Sequence, residues 1–294
     1  MVALHVEESG SGEPLLLIHG WGMHGGMWGS AVERLARDFR VIAVDLPGHG
    51  FSGKGEGRGD EAREGIREKG DAHPAPAARP SLPGGLPFPL PPSPFSLEDI
   101  VDALSAQFSE PLNLCGWSLG GQIALRWAAR HPQQVRRLVL VTSTPCFVRQ
   151  PGWDCAMAAD MLAGFAAALE QNYALTLRRF LALQVRGSEN ERELLASLRS
   201  ALFSRGEPEL AALQAGLNIL RDCDLRDSLP QIVQPALVIA GERDTLTPPD
   251  ASRHLAERMP QARLVLVEGA AHAPFLSHPD RFVACIKDFL EERT

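Results

Sequence analysis

The sequence lacks an apolar run long enough to cross a membrane, and it has no excess of basic residues. No stretch approaches the roughly 18 apolar residues that suggest a spanning helix. Lysine and arginine number 29 against 36 acidic residues, a formal net charge of −7, which argues against a dedicated nucleic-acid-binding protein. The N-terminus has no basic segment followed by an apolar stretch, so no secretory signal is predicted. We therefore expect a cytoplasmic protein without nucleic-acid or membrane partners.

Cysteine is scarce and follows no pattern. The chain has five cysteines, an odd number, and none are in C-x-x-C spacing, so neither a disulfide framework nor a zinc site is predicted. We expect reduced, mostly buried thiols, no bound metal and no cofactor. The cysteines are Cys115, Cys146, Cys155, Cys223 and Cys285.

Short apolar runs alternate with helical patterns along the 294 residues. This alternation is typical of an α/β fold with a mostly parallel sheet and helices on both faces. Ser96, with Asp99 three residues on, indicates a capped helix start. The predicted strands are 2–6, 15–18, 41–44, 112–115, 138–141, 236–240 and 264–267. The predicted helices are 28–37 and 95–108, with others beginning near residues 122, 250 and 279.

Two segments interrupt the alternation. Residues 53–94 are rich in glycine and charge, then in proline, a composition that predicts a disordered insertion. Residues 146–229 have apolar positions at spacings of three and four and almost no strand signal. We interpret this second segment as a helical cap inserted between a first core part, 1–145, and a second, 230–294. A cap over the carboxyl ends of the strands would cover the usual ligand crevice of such sheets.

Residues 116–120 read Gly-Trp-Ser-Leu-Gly, between an apolar run and a helical pattern. A serine between glycines at a strand-to-helix turn is the nucleophile-elbow pattern. The turn is so sharp that we expect side chains at Gly116 and Gly120 to clash. By composition, about one chain of this length in ten carries the pattern by accident, so the strand-then-helix context makes it informative. Ser118 is the predicted nucleophile.

A serine nucleophile needs a base and a group that orients the base. Asp244 and His272 each follow a predicted strand, in the order Ser, acid, His expected for an elbow serine. Each of the three groups then stands at the same rim of the sheet, so we predict a Ser118–Asp244–His272 triad. An N-cap role for Asp244 is the alternative. The other acids near the end of the cap are expected to be solvated or capping: Asp222, Asp224 and Asp227.

The oxyanion of an acyl-transfer intermediate needs two preorganised donors. One is the N–H of Leu119, directly after the nucleophile, and the other is expected from the loop after the strand 15–18. We assign that second donor to the N–H of Trp21, whose indole could also wall the pocket. His19, in the same loop, is interpreted as a residue that pins the loop rather than as a base.

These motifs resemble those of the α/β-hydrolase superfamily, in the family's order. They are His19-Gly20, the Asp45-x-x-Gly-x-Gly-x-Ser run, the Ser118 elbow, Gly241-x-x-Asp244 and the His272 loop. The resemblance covers the chain except 53–94. Within the superfamily, the cap segments around residues 143–147, 162–165 and 179–184 are similar to the methyl ester esterases that act on pimeloyl-acyl-carrier protein in biotin synthesis.

The resemblance implies a serine carboxylesterase that releases methanol from the methyl ester of a pimeloyl chain on acyl-carrier protein. It also implies that one cap stretch lines the acyl tunnel: Phe180, Leu181, Ala182, Leu183 and Gln184. Carrier proteins are acidic, so docking needs basic residues on the cap. The candidate docking residues are Arg178, Arg179, Arg186, Arg192 and Arg199. We expect the enzyme to be a monomer.

Some alternatives remain open for the function. Arg179 and Arg192 match positions where the family uses arginines for the carrier, but Leu175 and Ala196 stand at two others, and the arginines could simply solvate the cap. A general short-chain carboxylesterase or a carbon–carbon bond hydrolase would share the fold and triad, because neither fixes the leaving group. A non-catalytic relative that binds a small molecule under its cap is a further alternative.

If residues 53–94 are a disordered insertion, deleting residues 55–92 will leave the protein stable and active. Shortening a flexible loop to this extent changes the closure free energy by only about 2 kcal/mol. Thermal unfolding and hydrolysis of p-nitrophenyl esters should match those of the full chain. A large loss of stability or of activity would contradict the interpretation of this segment as an insertion.

Overall fold

A mostly parallel sheet forms the centre of the computed structural model, which describes residues 4–52 and 95–292. The predicted insertion 53–94 lies outside the described residues. Within them, the sheet has seven strands in the order β1-β3-β2-β4-β5-β6-β7, with β1 antiparallel to β3 and the other pairs parallel. The strands are β1 (Val6–Ser9), β2 (Pro14–Ile18), β3 (Arg40–Val44), β4 (Leu112–Trp117), β5 (Val135–Val141), β6 (Ala236–Gly241) and β7 (Ala262–Val267). The predicted fold class is confirmed.

The central strands are buried on both faces because they are apolar at nearly every position. All residues of β2, β4 and β6 are buried, as expected for parallel strands covered by helices. Of the predicted first strand 2–6, residues 2 and 3 lie outside the described residues, and residues 4 and 5 are not part of a strand. The edge strand begins at Val6 and runs through Glu7, Glu8 and Ser9, all exposed, against β3. A polar edge strand has no apolar run by which it could be found.

Helices cover both faces of this sheet. They are α1 (Ser30–Leu35), α2 (Leu97–Gln107), α3 (Leu119–Arg130), α4 (Ala159–Gln171), α5 (Tyr173–Val185), α6 (Glu191–Ala201), α7 (Leu210–Asp222), α8 (Pro249–Arg258), α9 (Pro274–Ser277) and α10 (Pro279–Glu291). The predicted capping box is confirmed, since Asp99 N–H donates to Ser96 Oγ and Ser96 N–H to Asp99 Oδ2. No helix in the described ranges is long and apolar enough to span a membrane.

The predicted helix 28–37 is interrupted. A 3₁₀ turn at Gly25–Trp28 precedes α1, and Gly29 between them has φ of 57°. A left-handed residue cannot continue a right-handed helix, so the apolar spacing that favoured one longer helix was misleading.

Helices α4 to α7 all lie between β5 and β6 in the chain. In the stretch 146–229 the structure has only isolated β-bridges besides its helices. The segment is therefore helical, as its spacing indicated. The domain limits 1–145, 146–229 and 230–294 remain a prediction.

One buried ion pair joins this helical segment to the sheet. Arg205, between α6 and α7, lies 3.2 Å from Asp45 Oδ1, directly after β3, and also pairs with Glu7. The Arg205 side chain is 9% exposed and that of Asp45 is fully buried. Burial raises the pKa of Asp45, but the N–H groups of Phe51 and Gly25, then His19 and Arg205, outweigh it and hold that pKa below its usual value. Asp45 is therefore a buried carboxylate that depends on its donors.

Arg205→Met should destabilise the protein by about 3–5 kcal/mol, because it leaves the buried Asp45 carboxylate without its cation. Urea unfolding measures the loss. The control is Arg253→Met, which breaks the exposed Arg253–Asp250 pair and should cost less than about 1 kcal/mol. Equal losses in the two variants would contradict a special role for the Arg205 pair.

Candidate active site

Ser118 stands at a strained turn between β4 and α3. It has φ of 56°, and with Thr142 it is one of only two non-glycine residues with positive φ in the described ranges. A Cβ at Gly116 would overlap the carbonyl of Gly120, and a Cβ at Gly120 would overlap the carbonyl of Ile18 in β2. The glycines on either side of the serine are therefore sterically required, as the sequence pattern predicted.

Backbone contacts fix the position of Ser118. Its N–H donates to the carbonyl of Val141 at 2.9 Å, and its carbonyl accepts from Ser143 Oγ at 2.8 Å. Because Ser118 precedes the first residue of α3, it lies at the positive end of the helix dipole, which favours developing negative charge. Ser118 is 8% exposed, so a small group can reach it from the crevice.

The structure brings Asp244 and His272 together in a buried hydrogen bond. His272 Nδ1 lies 2.7 Å from Asp244 Oδ2, with the two side chains 1% and 0% exposed. Asp244 Oδ1 accepts from the N–H groups of Leu246 and Thr247, at 2.9 and 3.1 Å. Each oxygen of the carboxylate is thus occupied by donors. A carboxylate on Nδ1 fixes the tautomer in which Nε2 is the free base.

His272 Nε2 is buried and has no hydrogen-bond partner among the described residues. It therefore does not hydrogen-bond to Ser118 Oγ in this structure. The two residues are linked through the neighbour of the serine, because the Trp117 indole N–H donates to the His272 carbonyl at 2.9 Å. Catalytic hydrogen bonds are often long before substrate binds. An unpartnered Nε2 is therefore compatible with a general base that hydrogen-bonds to the nucleophile only in the substrate complex.

The competing acids lie elsewhere. Asp222 and Asp224 pair with Arg221 and Arg226, their near neighbours in sequence. The N-cap of α8 is Pro248, with no side-chain cap, so Asp244 does not cap that helix. Its donors are instead the N–H groups of the turn before the helix.

His19 pins its loop rather than facing the nucleophile. Its Nδ1 lies 2.8 Å from the Gly20 carbonyl, and its Nε2 accepts from the N–H of Leu46. Burial, with a smaller effect of His49, lowers the pKa of His19 to about 3. A histidine that stays neutral and uses both ring nitrogens cannot act as a base, as predicted for this residue.

The loop that carries Trp21 adjoins the elbow. A Cβ at Gly20 would lie 3.3 Å from Ser118 Cβ, so the backbone approaches the serine closely. The Trp21 indole donates to the carbonyl of Leu213 in α7 at 2.8 Å, and a Cβ at Gly216 would lie 2.5 Å from Trp21 Cδ1. Helix α7 thus holds the indole of Trp21 in place.

An apolar cavity of about 70 Å³ opens beside Trp21. The rings of Phe165 and Phe180 meet the indole edge-on at 5.3 and 5.0 Å. The cavity is lined by Trp21, Phe147, Met157, Met161, Leu162, Phe165, Phe180, Leu183, Leu217 and Leu220. Of the predicted tunnel stretch, Phe180 and Leu183 line it, whereas Leu181, Ala182 and Gln184 do not.

Gln184 lies beside the candidate base instead. Its carbonyl accepts from the N–H of His272 at 3.0 Å. Its side chain is buried, and both amide atoms lack a partner in the described part of the chain. A buried amide without partners is costly, which makes Gln184 a candidate for contact with a ligand.

The candidate docking arginines all lie exposed on or beside α5 and α6. None of them forms an ion pair with a described acidic residue, in contrast to Arg34, Arg126 and Arg226, which are paired. The set is Arg178, Arg179, Arg186, Arg192 and Arg199. Leu175 is exposed on the same helix as Arg178 and Arg179.

The described residues include no cluster of three His, Cys, Asp or Glu side chains that could hold a metal ion. The cysteines are free, and all are buried except Cys155, which is partly exposed.

The sequence did not predict a role for Thr142, Thr247 or Met157, because nothing in their local pattern marks them. The spacing of Leu162 and Phe165 could have identified the α4 side of the cavity.

A family model for the alpha/beta hydrolase fold matches residues 13–279. The chain is 41% identical over 285 residues to a pimeloyl-[acyl-carrier protein] methyl ester esterase of Nitrosomonas europaea, covering 97% of this chain and 98% of that protein. It is 39% identical over 288 residues to the enzyme of that name from Chromobacterium violaceum, covering 98% of each.

Solved structures show the same fold at lower identity. An esterase from Exiguobacterium antarcticum superposes with a TM-score of 0.78 at 22% identity, covering 98% of this chain and 96% of that one. A bromoperoxidase from Bacillus anthracis gives 0.80 at 18% identity, covering 99% and 96%.

Gly216→Ala tests whether α7 positions the Trp21 indole. The added methyl would push the indole toward the cavity, so KM for a medium-chain p-nitrophenyl ester should rise about tenfold or more. Steady-state kinetics with esters of increasing acyl length measure the effect. Gly164→Ala is the control, since a Cβ there meets no atom within 4 Å. An unchanged KM in Gly216→Ala would contradict this role of α7.

Proposed function

Because the chain belongs to the alpha/beta hydrolase family and to its group of pimeloyl-[acyl-carrier protein] methyl ester esterases, we propose that it hydrolyses the methyl ester of a pimeloyl chain on acyl-carrier protein in biotin biosynthesis. Similarity over nearly the whole length carries this proposal. We infer the substrate from the activity that is named for those relatives. The buried Asp244–His272 pair and the Ser118 elbow support the serine-esterase chemistry.

In the proposed mechanism, Ser118 Oγ attacks the carbonyl carbon of the methyl ester. His272 Nε2 takes the hydroxyl proton, and Asp244 holds the ring and stabilises the imidazolium that results. The tetrahedral oxyanion is held by the N–H groups of Trp21 and Leu119. When it collapses, His272 returns the proton to the leaving methoxide and methanol departs. Water activated by His272 then releases the free pimeloyl acid, still attached to its carrier through the thioester.

We place the acyl chain of the substrate against the apolar residues beside Trp21. The cavity beside Trp21, Phe165 and Phe180 has no polar side chain in its lining, as methylene groups require. We assign Gln184 to a polar atom of the bound ester, because its amide is buried and unpartnered. We propose that Leu181 and Ala182, which do not line the cavity, support Phe180 and Leu183, which do.

The arginines on α5 and α6 would dock the carrier. The protein as a whole carries a net charge of −7, so an acidic partner needs a local basic surface. Arginines without intramolecular partners are free to pair with its carboxylates. The reaction needs no cofactor. Since its substrate is met on a cytoplasmic carrier, we propose that the enzyme acts in the cytoplasm, and as a monomer because one chain supplies the whole site.

Ser118→Ala should abolish hydrolysis of p-nitrophenyl butyrate, because no other group supplies the nucleophile. Thermal unfolding shows whether the variant is folded. Ser143→Ala is not a suitable control variant, because it removes the hydrogen bond from Ser143 Oγ to the Ser118 carbonyl. Retained activity in a folded Ser118→Ala protein would overturn the nucleophile assignment.

The physiological role is tested by growth of a biotin auxotroph that lacks its methyl ester esterase. The wild-type gene should restore growth without biotin, and the Ser118→Ala gene should not. No growth with soluble protein that cleaves p-nitrophenyl esters would point to a general carboxylesterase instead.

Charge reversal at Arg179 and Arg192 tests the docking surface. The double variant Arg179→Glu/Arg192→Glu should lower kcat/KM for the carrier-bound ester by about tenfold or more, chiefly through slower association, and leave p-nitrophenyl butyrate unaffected. Arg281→Glu, on α10 of the core, is the matched control. Equal effects on both substrates would contradict docking at these arginines.

A further inference from the structure

Thr142 adopts a backbone conformation that a β-branched residue rarely takes. It has φ of 40°, is fully buried, and directly follows β5. The other non-glycine residue with positive φ in the described ranges is Ser118. Strained residues of this kind persist where the surroundings hold them, and they cluster at functional sites. The strain at Thr142 therefore calls for a reason in the contacts that it makes.

The hydroxyl of Thr142 holds the backbone of His272. Thr142 Oγ1 donates to the His272 carbonyl at 2.8 Å, and the Trp117 indole donates to the same oxygen at 2.9 Å. On its other side, the N–H of His272 donates to the Gln184 carbonyl. The peptide groups of His272 are thus fixed in both directions, and the Thr142 N–H, bonded to the Ile239 carbonyl at 2.7 Å, ties this arrangement to β6.

The carbonyl of Thr142 reaches the same histidine through a second threonine. Thr247 Oγ1 lies 2.9 Å from the Thr142 carbonyl, 2.7 Å from Asp244 Oδ2 and 3.3 Å from His272 Nδ1. A hydroxyl has one proton to donate. When Thr247 gives it to the Thr142 carbonyl, Asp244 Oδ2 is left to the Nδ1–H of His272 alone. When Thr247 gives it to Asp244, Oδ2 is shared between two donors.

We propose that Thr142 and Thr247 are positioning residues that set the height and the orientation of the His272 imidazole, so that Nε2 meets Ser118. The inference rests on the proposed serine-esterase function. Thr142 fixes the backbone of His272 through the hydrogen bond to its carbonyl. Thr247 connects Thr142 to the Asp244 carboxylate, which orients the imidazole ring. Neither side chain touches substrate, and both act through His272.

The test uses isosteric and conservative variants at each position. Thr142→Val and Thr247→Val keep the shape and remove the hydroxyl, whereas Thr142→Ser and Thr247→Ser keep the hydroxyl. Thr142→Val leaves the His272 carbonyl with its bond from Trp117, so no buried acceptor is orphaned there. Thr176→Val is the matched control, since Thr176 is a buried threonine on α5 whose hydroxyl donates to the Asn172 carbonyl.

With p-nitrophenyl butyrate, the Val variants should lower kcat roughly 10- to 100-fold with KM little changed, the cost of a misplaced base. The rate of covalent labelling of Ser118 by a p-nitrophenyl phosphonate should fall in parallel. The Ser variants should stay within about threefold of wild type, as should Thr176→Val. A merely structural role would lower stability without this split between kcat and KM or the rescue by serine.

Wild-type kcat in folded Thr142→Val and Thr247→Val proteins would overturn the proposal, and so would equal losses in the Val and Ser variants. If Thr247→Val fails to fold, Thr142→Val decides the question alone. An inactive wild-type protein would instead count against the proposed esterase function, which separates the two failures.

Discussion

Three close contacts around Ser118, two from backbone carbonyls and one from the side chain of Ser143, leave no room for a Cβ atom at the neighbouring glycines. The rest of the site is arranged about these contacts. Carbonyl oxygens of the next turn and of β2 lie where Cβ atoms at Gly116 and Gly120 would be, and Ser143 fills the corresponding space at Gly121. Because β2 and β5 flank β4 in the sheet, the turn is locked between its neighbours. The serine therefore projects from a rigid frame, and preorganisation of this kind is what acyl-transfer chemistry requires.

The helical segment between β5 and β6 does more than cover this frame. It contacts the loop of the candidate base through Gln184, the loop that carries Trp21 through Leu213, and the end of β3 through Arg205. Each contact joins this segment to a loop at the carboxyl end of a strand. The same helices carry the exposed arginines on their outer side. A carrier protein that docks there would bind to elements that also position His272 and Trp21.

Local patterns predicted much of the fold and part of the site. The elbow could be predicted because its steric requirement demands glycine at fixed positions around the serine. The capping box could be predicted because it is contained within four residues. The edge strand and the break at Gly29 could not, because polar pairing and a single positive φ leave no periodic signal. Arg205 and Asp45 are far apart in sequence, and Thr142 and Thr247 meet only in the folded chain. Such long-range pairs are decided by topology rather than by local composition.

We propose that this site cleaves the methyl ester of a carrier-bound pimeloyl chain and leaves the thioester intact. Intact-protein mass spectrometry of methyl-pimeloyl acyl-carrier protein, before and after incubation with the enzyme, measures this directly. The carrier should lose the mass of one methylene unit, the difference between a methyl ester and its acid. A carrier of unchanged mass would show that the methyl ester is not a substrate, and loss of the whole acyl chain would show that the enzyme cleaves the thioester instead.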